Sequence, residues 1–341
     1  VGHWLGSANG QYEDKMIQTN CRSVGLPPTL IILIFLSLAQ PAGADVTQAK
    51  LDSLWIRASS GEIRFAEQVQ PSKDSLAGYG SDAVEFLVDK MNTRSALEMQ
   101  ILTDILGKIG VAGIPRVCQQ LDSPDDFRAR LACRVLGRIK DPAAVPCLLP
   151  HAFDPLFNIR AGVATALGEI GHPSATDTLR KMAKDQDYLA RKSAVVALGK
   201  MPFEKVADDL VNGLSDGYYG VRYAAASSLV GFGKPAAAIL KKFISNTLIV
   251  SGSLLPQPRI YALALAADCL GKIGDKSCSK TLQEMIQSDY DPVVMDYAAR
   301  ALGVLEGKSS LKFLKKIQLS QNDIFVQSMI AEGILSASAQ R

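Results

Sequence analysis

From about residue 80 onward, apolar residues recur at i, i+3, i+4 and i+7 in short runs, two runs to each interval of about 31 residues. A period of 3.6 within each run predicts amphipathic helices, and polar turns containing Asp separate them, so each interval reads as a helical hairpin. Residues 175–183 and 188–200 make one such pair. The interval is marked by a glycine after an apolar pair. It stands at Gly107, Gly137, Gly168, Gly199, Gly231, Gly271, Gly303 and Gly333, with spacings of 30, 31, 31, 32, 40, 32 and 30. In one second helix Ile159, Val163, Leu167 and Ile170 form a stripe, and Ala161, Ala164 and Ala166 are small enough to admit a neighbouring helix. The marker glycine suits either tight packing or a chain reversal, and Gly171-His172-Pro173 stops the helix. A single hairpin leaves one face uncovered, so stability has to come from stacking onto its neighbours. The pattern predicts an all-α superhelix of about eight hairpins over residues 80–341.

The residues ahead of the repeats are of two kinds. Residues 45–79 lack the interval and read as an N-terminal helical cap, with Trp55 and Phe65 packing inside it and Gln70-Pro71 breaking its helices. An atypical end unit is expected of a stack, because its outer face meets water. Further forward, the apolar run 29–39 follows Arg22 and ends in Pro41-Ala42-Gly43-Ala44. A basic start, a short apolar core and a small-x-small ending are the layout of a secretory signal, here spanning 16–44 with cleavage after Ala44. An uncleaved membrane anchor is the alternative, since 26–44 approaches the length of a span. Residues 1–15 precede Met16 and read as an over-extended gene start.

Composition narrows the picture. The chain has 341 residues, 48% of them hydrophobic and 21% charged, which describes a folded protein. Aromatic residues make up only 6%, which favours close-packed helices over β-sheets. A net charge of +3 is too small to imply a nucleic-acid partner, and three histidines leave little for a His-rich metal site.

Two units, DPLFNIRAGVATALG at 154–168 and DQDYLARKSAVVALG at 185–199, share the form D-x5-R-x6-L-G, with a looser copy at 216–231. On these residues the chain resembles the HEAT-repeat superfamily, most closely the short bacterial type known as phycobilisome-lyase HEAT-like repeats. The resemblance covers about residues 80–336 and implies a HEAT-like solenoid. It says little about activity, because this repeat serves scaffolds, lyases, a hydroxylase and DNA-binding proteins.

Candidate chemistry is sparse. Asp154, Asp185 and Asp216 stand 31 apart, and Arg160, Arg191 and Arg222 follow each by six. Each Asp could cap the following helix while each Arg bridges to a neighbouring loop; alternatively, the arginines form a rail reading carboxylates or phosphates on a partner. The 40-residue interval from Gly231 to Gly271 places its surplus at 245–259, where Leu248, Ile249, Val250, Leu254 and Leu255 flank Ser251-Gly252-Ser253. Insertions in solenoids emerge as loops, so 247–258 reads as a loop that packs on its own repeat or meets a partner. Arg128, Arg130, Arg134, Arg138 and Lys140 form a basic cluster, read as a solvated face or a site for an acidic partner.

Of the cysteines beyond the signal, Cys118, Cys133, Cys147, Cys269 and Cys278, no two have metal-ligand spacing. Cys133 and Cys269 fall on apolar faces, and at most one bridge is expected, Cys118–Cys147 or Cys269–Cys278. His151 and His172 have no nucleophile or ligand at motif spacing. The expectation is a periplasmic or secreted, non-enzymatic scaffold that binds a protein or peptide along a concave face, with no cofactor, no metal and no nucleic acid. The alternative, implied by the resemblance alone, is a phycobilin-lyase-like protein that handles a tetrapyrrole.

Overall fold

Residues 46–250, 255–288 and 291–339 are described by the computed structural model, the side chains of 248–250 excepted. The chain divides between Lys50 and Leu51, and only the opening of the first helix is described ahead of that point. From there the described residues form helical hairpins and no strand. In chain order the pairs are α1 (Gln48–Ser59) with α2 (Ala66–Gly78), α3 (Ser81–Asp89) with α4 (Ala96–Ile109), and α5 (Ile114–Cys118) with α6 (Asp126–Ile139). Then come α7 (Val145–Leu148) with α8 (Phe157–Ile170), α9 (Thr176–Met182) with α10 (Tyr188–Leu198), and α11 (Phe203–Gly213) with α12 (Tyr219–Phe232). The last are α13 (Lys234–Val250) with α14 (Gln257–Ile273), α15 (Ser279–Gln287) with α16 (Pro292–Glu306), and α17 (Leu311–Ser320) with α18 (Ile324–Ala339). Each second helix packs on the next one along, α2 on α4 through to α16 on α18, so the even-numbered helices make one continuous layer.

The core between the layers carries the period of the sequence. Leu136, Leu167, Leu198 and Leu229 on the second helices are fully buried, and so are Val117, Leu148, Leu179 and Leu210 on the first. Each buried leucine contributes about 1.5–3 kcal/mol relative to exposure, and the 31-residue register delivers one per layer per hairpin. At Gly137, Gly168, Gly271, Gly303 and Gly333 the marker glycine serves close packing rather than chain reversal. A Cβ added to Gly168 would lie 2.7 Å from Ala197 Cα, and one on Gly271 would lie 2.8 Å from Ala301 Cα, so the second helices touch backbone to backbone there. The reversal after α8 belongs to a different residue, Gly171, at φ 68°.

Two expectations are corrected. Pro71 does not break a helix: it lies inside α2, whose face through Ser72 and Leu76 is buried. That buried face holds the helix through the one N–H bond the proline forfeits. Trp55 on α1 is buried, and Phe65 is half-buried. The surplus at 245–259 is not simply a loop. It lengthens α13 and α14 to 17 residues each, so 245–250 is helical and Gln257 onward belongs to α14. Ser245, Asn246 and Thr247 have only modest helix propensity; the extension is anchored instead by buried Ile244 and Thr247, whose hydroxyl donates to the Phe243 carbonyl. The remainder of that expectation, at 251–254, lies outside the described residues, as does the expected signal at 16–44.

Candidate partner-binding face

The Asp–Arg ladder turns inward. Arg160 on α8 donates from Nε and Nη2 to both carboxylate oxygens of Asp185, 2.7 Å each, and from Nη1 to the carbonyls of Asp154 and Pro155. Arg191 on α10 repeats the arrangement with Asp216 and with the carbonyls of Asp185 and Gln186. Each Asp also accepts a turn N–H two residues on, as from Asp187 to Asp185 at 2.8 Å, which fixes the loop that precedes the next helix. Burial alone would raise the Asp185 pKa, but the bidentate Arg160 and the turn N–H outweigh it and hold the carboxyl below its ordinary 3.8. Arg222 ends the row. Its Nη1 bonds the carbonyls of Asp216 and Gly217, and its guanidinium lies 4.6 Å over the Tyr261 ring.

For Arg160 and Arg191 the expected partner rail is therefore corrected to an internal brace, while half-buried Arg222 is held by two loop carbonyls and the Tyr261 ring. Arg160 is 5% exposed, and four hydrogen bonds to carboxylate and carbonyls turn its guanidinium inward. Of the apolar set proposed at the insertion, Leu255 is half-buried, and the side chains of Leu248, Ile249, Val250 and Leu254 lie outside the described residues.

The basic cluster gains a setting that the sequence did not reveal. Arg130, Arg134 and Arg138 rise along α6 and form one wall of a depression of about 640 Å³ whose floor is α8. Ala161, Gly162, Thr165 and Ala166 supply most of that floor, and Glu169 near its end is the one lining side chain of α8 larger than Thr. Two further depressions continue along the same layer over α10 and α12, lined by Lys192, Val196, Lys200, Tyr219 and Tyr223. Across the three, the charged lining consists of Arg130, Arg134, Arg138, Lys140, Lys192 and Lys200 against the single carboxylate of Glu169. Hydrogen bonds from Lys200 and Lys140 hold Glu169 below its ordinary 4.5, so it is ionised and already shared between two lysines.

An aromatic row on this layer was also missed in the sequence. Phe157, Tyr188 and Tyr219 stand 31 apart at the first position of α8, α10 and α12, and all three are exposed. Tyr218 packs between the last two, with ring centroids 4.1 Å from Tyr188 and 4.8 Å from Tyr219. The 31-residue register that exposed the Asp–Arg ladder would have found this row, had aromatic residues been aligned as the charged ones were.

Cysteine and histidine complete the survey. Cys118 on α5 and Cys147 on α7 form a disulfide that ties neighbouring first helices. Cys133, Cys269 and Cys278 are free and buried, and burial pushes the Cys133 and Cys269 thiols up to about 12. His172 folds back on its own turn, 2.7 Å from the Ser174 hydroxyl, and His151 lies 3.6 Å from Asp122. Among the described residues no group of three His, Cys, Asp or Glu side chains could hold a metal ion. No helix among them is long and apolar enough to cross a membrane.

The family model for HEAT repeats matches residues 114–199 and 253–334. The hairpin α11–α12 falls between those spans and continues the same two layers. Among solved structures, importin beta is similar with a TM-score of 0.50 and 12% identity; the match covers 96% of this chain and 49% of that one. The CpcE–CpcF complex of phycocyanin lyase from Nostoc sp. PCC7120 matches at a TM-score of 0.37 and 15% identity, over 74% of this chain and 94% of that one. Human deoxyhypusine hydroxylase in complex with glycerol matches at 0.34 and 17%, over 77% and 98%. At these identities the likeness is one of fold alone. No curated protein matches the chain in sequence.

Proposed function

Because the chain is a HEAT-repeat protein, we propose that it works as an exported, non-enzymatic scaffold that holds a protein or peptide partner along the exposed face of its second-helix layer. The observation that carries this reading is the run of three adjoining depressions over α6 to α12, lined by six cations and one carboxylate. Stacked hairpins bury their apolar stripes in the core, so a lined groove on the outer side of one layer is surface left over for binding. Exposed Val196, Tyr219 and Tyr223 within it offer apolar contact of the kind that anchors protein interfaces. The segment 248–255 is proposed to add a further apolar contact.

Export is supported by the apolar run 29–39 with its small-residue ending at Ala44, and by the Cys118–Cys147 disulfide, a feature of oxidising compartments. A non-enzymatic role is supported by thiols buried at about 12 and by a His172 ring engaged with its own turn. The test has two arms. Intact mass and N-terminal sequence of the native protein from cell fractions should give a chain beginning at Asp45 outside the cytosol; a cytosolic chain retaining Met16 removes the export reading. A photo-crosslinker at Thr165 should capture a partner that one at Lys181 on α9 does not, and that partner, once purified, should bind the intact chain and lose affinity for Val196→Glu. Equal capture from both positions removes the face.

A further inference from the structure

The depression over α8 differs from the rest of the layer, and its form points to one kind of occupant. The positions one turn apart on α6 carry Arg130, Arg134 and Arg138, and the 31-residue register replaces them on α8 by Ala161, Thr165 and Glu169. The same positions one hairpin further on are Lys192 and Val196 on α10 and Lys200 in the turn after it. A floor of mostly small residues thus lies beside the wall of Arg130, Arg134 and Arg138, and Lys192 and Lys200 line the adjoining depression on its other side.

Neighbouring helices pack at about 8–10 Å, so the axes of α6 and α10 lie roughly 16–20 Å apart, and a helix of about 10 Å diameter laid over α8 rests between their side chains. Arg130 to Arg138 spans about 12 Å of rise, the rise between carboxylates at i and i+8 on an occupant laid along α8.

The cations are lightly held. Arg130 keeps a buried Nε without a hydrogen-bond partner and stands 3.9 Å from Asp126. Arg138 is 4.0 Å from Asp104, a carboxylate that Lys73 already holds at 2.7 Å. Arg134 bonds the neutral Gln100. Lys140, at φ 58°, is the one non-glycine in the left-handed region among the described residues, and that turn carries its ammonium to the rim beside Glu169 at 3.3 Å. Aromatic faces that would stack bases are absent from the lining of this depression, and Phe127 beside it is covered on its ring by Arg94 and Arg130.

We infer that the trough over α8 receives an acidic helical segment of a protein partner, with Asp or Glu one turn apart toward Arg130, Arg134 and Arg138 and small residues against Ala161 and Thr165. The inference rests on the reading of the second-helix face as the binding surface and names the chemistry of what binds there. Complementary charge sets register and steering, and the small floor permits close approach of the two helices.

The probe is a fluorescent Ala-rich helical peptide carrying Glu at i, i+4 and i+8, titrated against the full chain by anisotropy. It should bind with an affinity that falls as salt rises. Arg134→Glu and Thr165→Phe should each weaken it about tenfold with unchanged thermal unfolding, whereas Lys312→Glu, an equal charge change on α17, should leave it unaltered. Equal binding of a peptide of the same composition broken by prolines, or equal loss from Lys312→Glu, overturns the inference. So does tighter binding of a single-stranded oligonucleotide. Capture from Thr165 without binding of the acidic helix refutes the chemistry and leaves the face standing; failure of both refutes both.

Discussion

Two rows of arginine lie one hairpin apart and have opposite fates. Arg160 and Arg191 recur every 31 residues, each facing the Asp of the next loop, and are buried in ion pairs that fix the spacing of the stack. Arg130, Arg134 and Arg138 recur every four residues along one helix, have no equivalent on α8, and remain partly exposed along the trough. A residue repeated in register from one hairpin to the next answers a need those hairpins share, namely joining the neighbour. A residue that one hairpin alone carries answers a local need. In a solenoid, periodicity therefore marks the frame, and departures from it mark the surface most worth testing for a partner.

The largest expected effect would break this contrast at its buried end. Arg160→Ala strands the Asp185 carboxylate and two loop carbonyls, and should cost about 3–5 kcal/mol of unfolding free energy by urea titration. If the loss is no greater than that of a surface arginine, the ladder is not a brace. Gly168→Val probes the same joint without charge. Its side chain would meet Ala197 backbone within 2.7 Å, and overpacking there should cost about 1–3 kcal/mol.

The pH dependence sharpens the comparison more gently. Because Asp185 is held below its ordinary 3.8 in the folded chain, its contribution is fully present above that value and is lost as the pH falls through the lower folded value. The stability gap between the native chain and Asp185→Asn should accordingly be constant above pH 5 and narrow in acid. A gap that widens on acidification contradicts the assignment. The smallest effect belongs to the other row: Arg134→Ala should change unfolding free energy by no more than about 0.5 kcal/mol, since it removes an exposed side chain bonded to Gln100.

The hairpins were readable because their periods are local. A 3.6-residue stripe needs only its own run of residues, and the 31-residue marker needs only its copies, so helices, layers and the buried Leu136, Leu167 and Leu198 all follow from the chain as written. The Asp–Arg spacing was equally legible, although spacing alone could not distinguish an inward brace from an outward rail. That depends on which way the guanidinium turns, and the neighbour's Asp185, 25 residues on, decides it. Pro71 and the stretch 245–250 were misread for a related reason. Local signals set a helix's tendency to end, whereas burial of Ser72 and Leu76, or the extension of α13, sets whether it does.

The sequence by itself determined the all-helical repeat, its register and its core, since each is specified by residues that contact their own hairpin or an equal one beside it. The trough over α8 was decided by tertiary structure alone. Its basic wall comes from α6, its floor from α8 and its far edge from Ser193 of α10, and only packing helices distant in sequence side by side converts a basic stripe and a few small residues into one surface.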